Sequence, residues 1–156
     1  MAVRIRPVEA GDRGEWLRMR VALWPEGSEG EHAAEIDAFL AHPGAAPPAA
    51  VLVCEGSSGR LRGFVELSIR SYAEGCRGDR VAYLEGWYVD PGQRREGVGR
   101  ALVAASEAWA RALGCHELAS DTDLANELGY RAHLGLGFEE TARIICFRKS
   151  LDDAAP

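Results

Sequence analysis

The sequence predicts an α/β (α+β) fold laid down as one pass of alternating strands and helices. Three observations carry this. Short apolar runs rich in Val, Leu, Ile, Tyr and Trp are bounded by Gly, Pro, Ser and Asp. Between them lie segments whose apolar residues recur every three to four positions. The chain has no internal repeat. At 156 residues it is expected to form one domain over 1–156, long enough to bury roughly two thirds of its unfolded surface.

The elements follow in order. "VRIRP" reads as a short first strand, and Asp12 is placed to cap a helix carrying Trp16, Met19, Leu23 and Trp24 inward until Pro25 stops it. In "SEGEHAAEIDAFLAH", Ser28 with Glu31 has capping-box spacing and Ile36, Phe39 and Leu40 form an apolar face, before Pro43 ends the helix. "PGAAPPA" is a loop. "AAVLVCE" and "LRGFVELSIR" read as a hairpin around "GSSGR". The polar "SYAEGCRGD" leads to the strand "VAYLEGWYV". A helix follows, with Val98, Leu102, Ala105, Trp109 and Leu113 near a 3.6-residue period, closed by Gly114. "HELASD" is a strand, "NELGYRAHLGL" a helix ended by Gly137, and "TARIICFRKSL" a terminal strand.

Composition narrows the function classes. The net charge is −6 and Lys149 is the only lysine. An acidic surface argues against general nucleic-acid binding and suits cationic ligands. No apolar run approaches the ~20 residues that span a bilayer, so no membrane partner is expected. Cys54, Cys76, Cys115 and Cys146 include no C-x-x-C pair, and "MAVRIRPVEAGDRGEW" lacks the apolar core of a signal peptide. The expectation is a cytoplasmic protein with reduced thiols and no metal.

The most informative stretch is "DPGQRREGVGRALV", at a strand-to-helix junction. A helix start leaves amide N–H groups without intrahelical partners, and the helix dipole adds positive potential. Gly97 and Gly99 would let backbone approach a phosphate, while Arg94, Arg95 and Arg100 supply charge. Two phosphate motifs fail here. Gly92 and Gly97 have P-loop spacing, but Val98 and Gly99 stand where the lysine and hydroxyl residue belong; Gly97-Val98-Gly99 would open a dinucleotide fingerprint, but Leu102 replaces its third glycine. From spacing alone, a glycine-containing turn with surface arginines stays open.

The wider context resembles one family. Arg94, Gly97 and Gly99 form R-x-x-G-x-G after a strand ending "YVDP"; Asn126 then opens a helix followed by Gly137-Phe138. This is similar to the GNAT acetyltransferase superfamily and its coenzyme A pyrophosphate loop. The resemblance implies a central mixed, mostly antiparallel sheet, splayed at the fourth and fifth strands and flanked by helices, with acetyl-CoA as co-substrate. It implies coenzyme contacts at Trp87, Tyr88 and Val89 through the backbone, at Arg94, Arg95, Gly97, Val98, Gly99 and Arg100 in the loop, and at Asn126. An asparagine at a helix start is equally well explained as a cap. Independently, Gly86 inside a strand marks a bulge or a close backbone approach.

Further phrases, "LWP", "GFVELSIR", "YLEGWYV", "GCHELASDT" and "LGFEET", resemble the aminoglycoside 6'-N-acetyltransferases over most of the chain. A polycationic, hydroxyl-rich acceptor needs carboxylates at several points and aromatic faces for rings and cations. Glu85 and Asp121 are the expected acceptor-binding and catalytic residues, and the resemblance adds Trp24 and Tyr72 over the acceptor. Glu85 alternates with Tyr83 and Trp87, so its charge requires a partner or a ligand. Asp121 equally suits the organisation of a turn, Trp24 core packing, and the acidic run Glu26, Glu29, Glu31, Glu35 and Asp37 a solvated helix face.

The reaction implied is direct transfer to a deprotonated amine, with Glu85 or Asp121 removing the proton directly or through water and a backbone N–H near Val89 facing the oxyanion. Cys115 and His116 are strand neighbours, pointing to opposite faces, so no acyl-cysteine is expected. The sequence departs from the superfamily twice. His133 stands where a tyrosine general acid is common, with Tyr130 on the same helix face, so the acid stays open between His133, Tyr130 and solvent. Ala142 stands where the aminoglycoside branch often has another acid. The leading expectation is aminoglycoside 6'-N-acetylation and antibiotic resistance. Acetylation of another amine (a polyamine or a protein N-terminus) and a silent acetyl-CoA sensor remain as alternatives. The resemblance also implies a two-fold homodimer in which "TARIICFRKSL" helps to build the interface; its apolar alternation would otherwise leave a sheet edge exposed.

Overall fold

The structure, a computed structural model, describes residues 2–153. Its centre is a five-stranded sheet in sequential order, made of β1 (Ile5–Pro7), β2 (Ala50–Glu55), β3 (Leu61–Arg70), β4 (Val81–Val89) and β5 (Leu118–Ser120). The first four strands pair antiparallel and β5 joins β4 in parallel. Helices α1 (Arg13–Leu23) and α2 (Glu29–Ala41) cover one face. Helix α3 (Val98–Ala112) covers the other, and α4 (Glu127–Gly135) follows β5. This is the mixed, mostly antiparallel architecture that the resemblance implies.

Sandwiching explains why β3 carries no clean alternation: from Leu61 to Ser68 every residue is buried. Val53 and Phe64 pack with Trp16, Met19 and Ile36 beneath α1 and α2, while Val65, Leu67 and Leu84 pack with Val98, Leu102 and Val103 beneath α3. The capping box of α2 forms as read, with Ser28 Oγ accepting from Glu31 N–H and Glu31 accepting from Ser28 N–H. Gly114 adopts φ 80° past the end of α3, and Cys115 N–H returns to Ala110 O.

Two expectations are corrected. Asp12 occupies the N-cap position of α1 but makes no side-chain cap bond. Its carboxylate turns back instead, accepting from Glu9 N–H at 2.8 Å and from both terminal nitrogens of Arg6 at 2.7 and 3.0 Å. The terminal segment 141–151 forms no strand within the chain. Thr141 is held at the loop after β3, donating to Glu74 O at 3.1 Å. Beyond it Ile144, Ile145, Phe147 and Leu151 stand exposed. A strand needs an edge to pair with, and this segment takes none of its own sheet.

The functional geometry comes from the β4–β5 pair. Pairing begins at Ala82↔Leu118 and stops at Leu84↔Ser120. From Gly86 to Val89, β4 is paired with β3 alone. Asp90 N–H donates to Arg62 O. By antiparallel alternation the backbone groups of Val89 and Trp87 therefore face away from β3, into the opening.

Candidate functional site

One end of the site is the start of α3. After a single turn of 3-10 helix at Pro91–Gln93, Arg95 takes φ 67° and Gly97 φ 83°. The left-handed turn at Gly97 swings the chain into α3, and no side chain among the described residues caps the helix. The amides of Val98, Gly99 and Arg100 precede the first intrahelical bond, Ala101 N–H to Gly97 O. Arg94, Arg95 and Arg100 are exposed and make no ion pair among the described residues. Glu96, the acid within this basic loop, is neutralised by buried Arg62, 2.5 Å away, which also donates to Gln93 at 2.7 Å. Uncapped amides, dipole and three free guanidiniums together fit an anion of pyrophosphate type.

The two glycines differ in what they require. A Cβ on Gly97 would meet nothing within 4 Å, so its left-handed φ is the reason for glycine. A Cβ on Gly99 would lie 3.2 Å from the Trp87 ring, so this glycine makes room for an indole.

The acceptor side is built around a bulge. Glu66 pairs with Gly86 and Leu67 with Leu84, leaving Glu85 as the extra residue. The bulge the sequence suggested at Gly86 is present, and so is the close approach: a Cβ there would lie 2.6 Å from the Trp24 ring. The extra residue also shifts the alternation. Glu85 and Gly86 both face α1 and α2, and Trp87 lies on the opposite face against α3, contrary to the expectation that Glu85 and Trp87 share one.

Glu85 opens onto a cleft of about 640 Å³ lined by Arg20, Trp24, His32, Glu35, Glu66 and Ser68, with Pro47 and Pro48 at its rim. Trp24 is thus in the cleft as expected. Tyr72 is not among its lining residues: it is 64% exposed and donates to Glu74. Beneath Trp24, the buried Arg20 guanidinium is 5.0 Å from the indole centroid and reaches Glu66 at 2.7 and 3.2 Å. Burial pushes the Glu66 carboxyl up, against the opposing pull of Arg20 and the Trp16 indole N–H. His32 stacks on Trp24 at 6.3 Å and bonds its carbonyl. Glu35 pairs with Arg20 at 2.7 Å, so one member of the acidic run has a place at the cleft.

Arg20, His32, Glu66 and Ser68 are the residues sequence reasoning missed. A signal existed: Glu66 is a carboxylate in the middle of an apolar strand, and Arg20 stands four residues from Trp16 and from Trp24 on one helix face.

Asp121 follows the Leu84–Ser120 pair at the end of β5 and is not among the residues that line the cleft; it is linked to Glu85 through Tyr83 and Arg70. It accepts from the Tyr83 hydroxyl, whose ring lies under the Arg70 guanidinium at 3.5 Å; Arg70 in turn holds Glu85 with two bonds of 2.9 and 2.7 Å. Burial first, and then donation to Asp121, push the Tyr83 phenol up, so it remains a donor throughout the neutral range.

At the mouth of the splay, Ser120 Oγ donates to Leu84 O at 3.1 Å and lies 2.8 Å from His133 Nε2. His133 Nδ1 donates to Gly129 O at 2.6 Å, and its ring meets Trp87 edge-on. Tyr130 points elsewhere, donating to Glu140. Asn126 caps α4 by accepting from Gly129 N–H at 2.9 Å, and its amide nitrogen makes no hydrogen bond among the described residues.

Comparison with known proteins gives one consistent result. The model of the acetyltransferase (GNAT) family matches residues 16–138. An aminoglycoside N(6')-acetyltransferase type 1 from Klebsiella aerogenes is 54% identical, covering 94% of this chain and 96% of the relative. The fold superposes with a TM-score of 0.86 on AAC(6')-Iy in complex with the bisubstrate analog CoA-S-monomethyl-acetylneamine, at 35% identity and covering 96% and 99% of the two chains. A structure of aminoglycoside N-acetyltransferase AAC(6')-Iy in complex with CoA gives 0.85 at 36% identity, covering 95% of each chain.

Proposed function

The chain belongs to the acetyltransferase (GNAT) family, and from that premise we propose that it is an aminoglycoside 6'-N-acetyltransferase, moving the acetyl group of acetyl-CoA to the 6'-amine and so conferring resistance. The observation that carries this reading is the end of β4–β5 pairing at Leu84 and Ser120: beyond it β4 runs on between an acidic, aromatic cleft at Glu85 and the uncapped start of α3. The Klebsiella aerogenes relative is an aminoglycoside N(6')-acetyltransferase, and AAC(6')-Iy is in complex with a bisubstrate analog that joins CoA to acetylneamine.

Acetyl-CoA supplies an activated acetyl thioester. The chain's own groups do the rest. The amides of Val98, Gly99 and Arg100, with Arg94, Arg95 and Arg100, hold the pyrophosphate, and the outward backbone of Trp87 and Val89 holds the pantetheine arm as an added strand would be held. Asn126 faces the same arm in this reading. Glu85 and Asp121 bind the acceptor ammonium, and one of them takes a proton, directly or through water, so that a neutral nitrogen attacks the thioester carbon; the C–S bond breaks as the amide forms, and coenzyme A leaves as a thiolate that takes a proton from His133 or solvent. Trp24 lies against a sugar ring. The Val89 N–H stabilises the oxygen that gains charge. Direct attack suits these residues, as the buried Cys54 and Cys115 thiols have no base among their described bonds and burial pushes Cys54 up.

The same reading includes a homodimer in the reducing cytoplasm. The exposed apolar residues of segment 141–151 would pair across the two-fold axis, and all four cysteines are unpaired thiols.

A thiol-release assay with acetyl-CoA and a panel containing kanamycin, tobramycin and spermidine tests the function. Release with the aminoglycosides, with mass and NMR placing the acetyl group on the 6'-nitrogen, is expected. Release with spermidine alone, or none with any amine, would overturn it.

A further inference from the structure

Arg70, the last residue of β3, stands where a cationic acceptor has to arrive. Its guanidinium occupies both Glu85 oxygens, at 2.9 and 2.7 Å, and lies 3.5 Å over the ring of Tyr83, the residue that donates to Asp121. The two carboxylates therefore carry a resident countercharge, and the cluster of Glu85, Asp121 and Arg70, which meets the cleft at Glu85, sums to −1 where two free carboxylates would sum to −2. The guanidinium side chain is 43% exposed and Glu85 28%, so the pair is open to exchange with solution. Arg20, the arginine that lines the cleft itself, is different in kind. It is buried at 7% and tied to Glu66 and Glu35 at once.

Resting on the reading of this cleft as an aminoglycoside site, we propose that Arg70 is a specificity-determining residue, an internal cation that the acceptor ammonium displaces from Glu85 on binding. Displacement exchanges one cation for another at the same carboxylate. An acceptor with a single weak contact gains little from that exchange, whereas a polycation with further carboxylates to engage gains enough to complete it. The Tyr83 face gives the guanidinium a place to remain after it lets go of Glu85, since cation–π attraction does not depend on the carboxylate.

The test compares Arg70→Gln and Arg70→Lys with the unaltered enzyme, measuring KM for kanamycin at several salt concentrations and acetyl-CoA affinity by titration. Removing the competitor from a half-exposed pair is expected to lower KM roughly two- to fivefold. It should also steepen the rise of KM with salt, because two unscreened carboxylates then face the acceptor. Arg70→Lys should remain close to the parent, and acetyl-CoA affinity should not change. An unchanged or raised KM in Arg70→Gln with an unaltered salt slope would overturn the proposal and leave Arg70 as a prop for Glu85. Arg70→Met, which keeps the apolar stem over Tyr83, gives the same reading if the glutamine variant is unstable. Should the enzyme prefer another amine, the function assigned above falls, and the same comparison run on that amine still decides the role of Arg70.

Discussion

Glu66 and Gly86, paired across β3 and β4, show how one position on the sheet serves both stability and site. Gly86 has no side chain because the Trp24 ring occupies the space a Cβ would need, 2.6 Å away. Gly86→Ala should therefore cost about 1–3 kcal/mol as an overpacked contact. It should also raise KM for the aminoglycoside by moving Trp24, while leaving acetyl-CoA affinity in place. Thermal unfolding and steady-state kinetics check the two effects separately. Asp12 offers a pH test. Its carboxyl lies below its ordinary 3.8, chiefly through the hydrogen bonds from Arg6. A group lowered in the folded state stabilises above its unfolded value and loses that contribution as pH falls through the folded one. Asp12→Asn should thus be less stable by about 1–3 kcal/mol at pH 7. The gap should close as pH drops below 3.8, as read from urea unfolding at successive pH values.

Elements were legible in the sequence where their causes are local. The α2 capping box is written in two residues three apart, and the closure of α3 in one glycine. β3 and β4 were legible because both are long and apolar. The departures have non-local causes. Gly86 announced a bulge, but that Glu85 turns away from Trp87 depends on the register with β3, which alternation within β4 alone does not contain. Asp12 carries every mark of a helix cap, yet an arginine on β1 competes for it. Segment 141–151 has a strand's alternation but pairs with neither edge of its own sheet. At this scale the turn into α3 makes its own prediction. Gly97→Val forces a branched side chain into φ 83°. It should weaken acetyl-CoA binding at least tenfold by turning the helix amides away, which titration of the folded variant will measure; unchanged affinity would mean that the phosphates bind elsewhere.

In the whole molecule one sheet divides the labour. The α1 and α2 face presents the acidic cleft, the start of α3 presents amides and arginines, and the splay between β4 and β5 connects them. Assembly belongs to this scale. Light scattering at micromolar concentration should give the mass of two chains, and replacing Ile145 and Phe147 by Asp should give the mass of one, because both residues are largely exposed on the single chain. The division of labour itself is tested most directly by steady-state kinetics of Glu85→Gln, with acetyl-CoA and aminoglycoside varied in turn. Losing a charged hydrogen bond of about 1.5–3 kcal/mol should lower kcat/KM for the aminoglycoside roughly 10- to 150-fold while KM for acetyl-CoA stays within about twofold. Full activity on every aminoglycoside, or an equal loss toward both substrates, would contradict it.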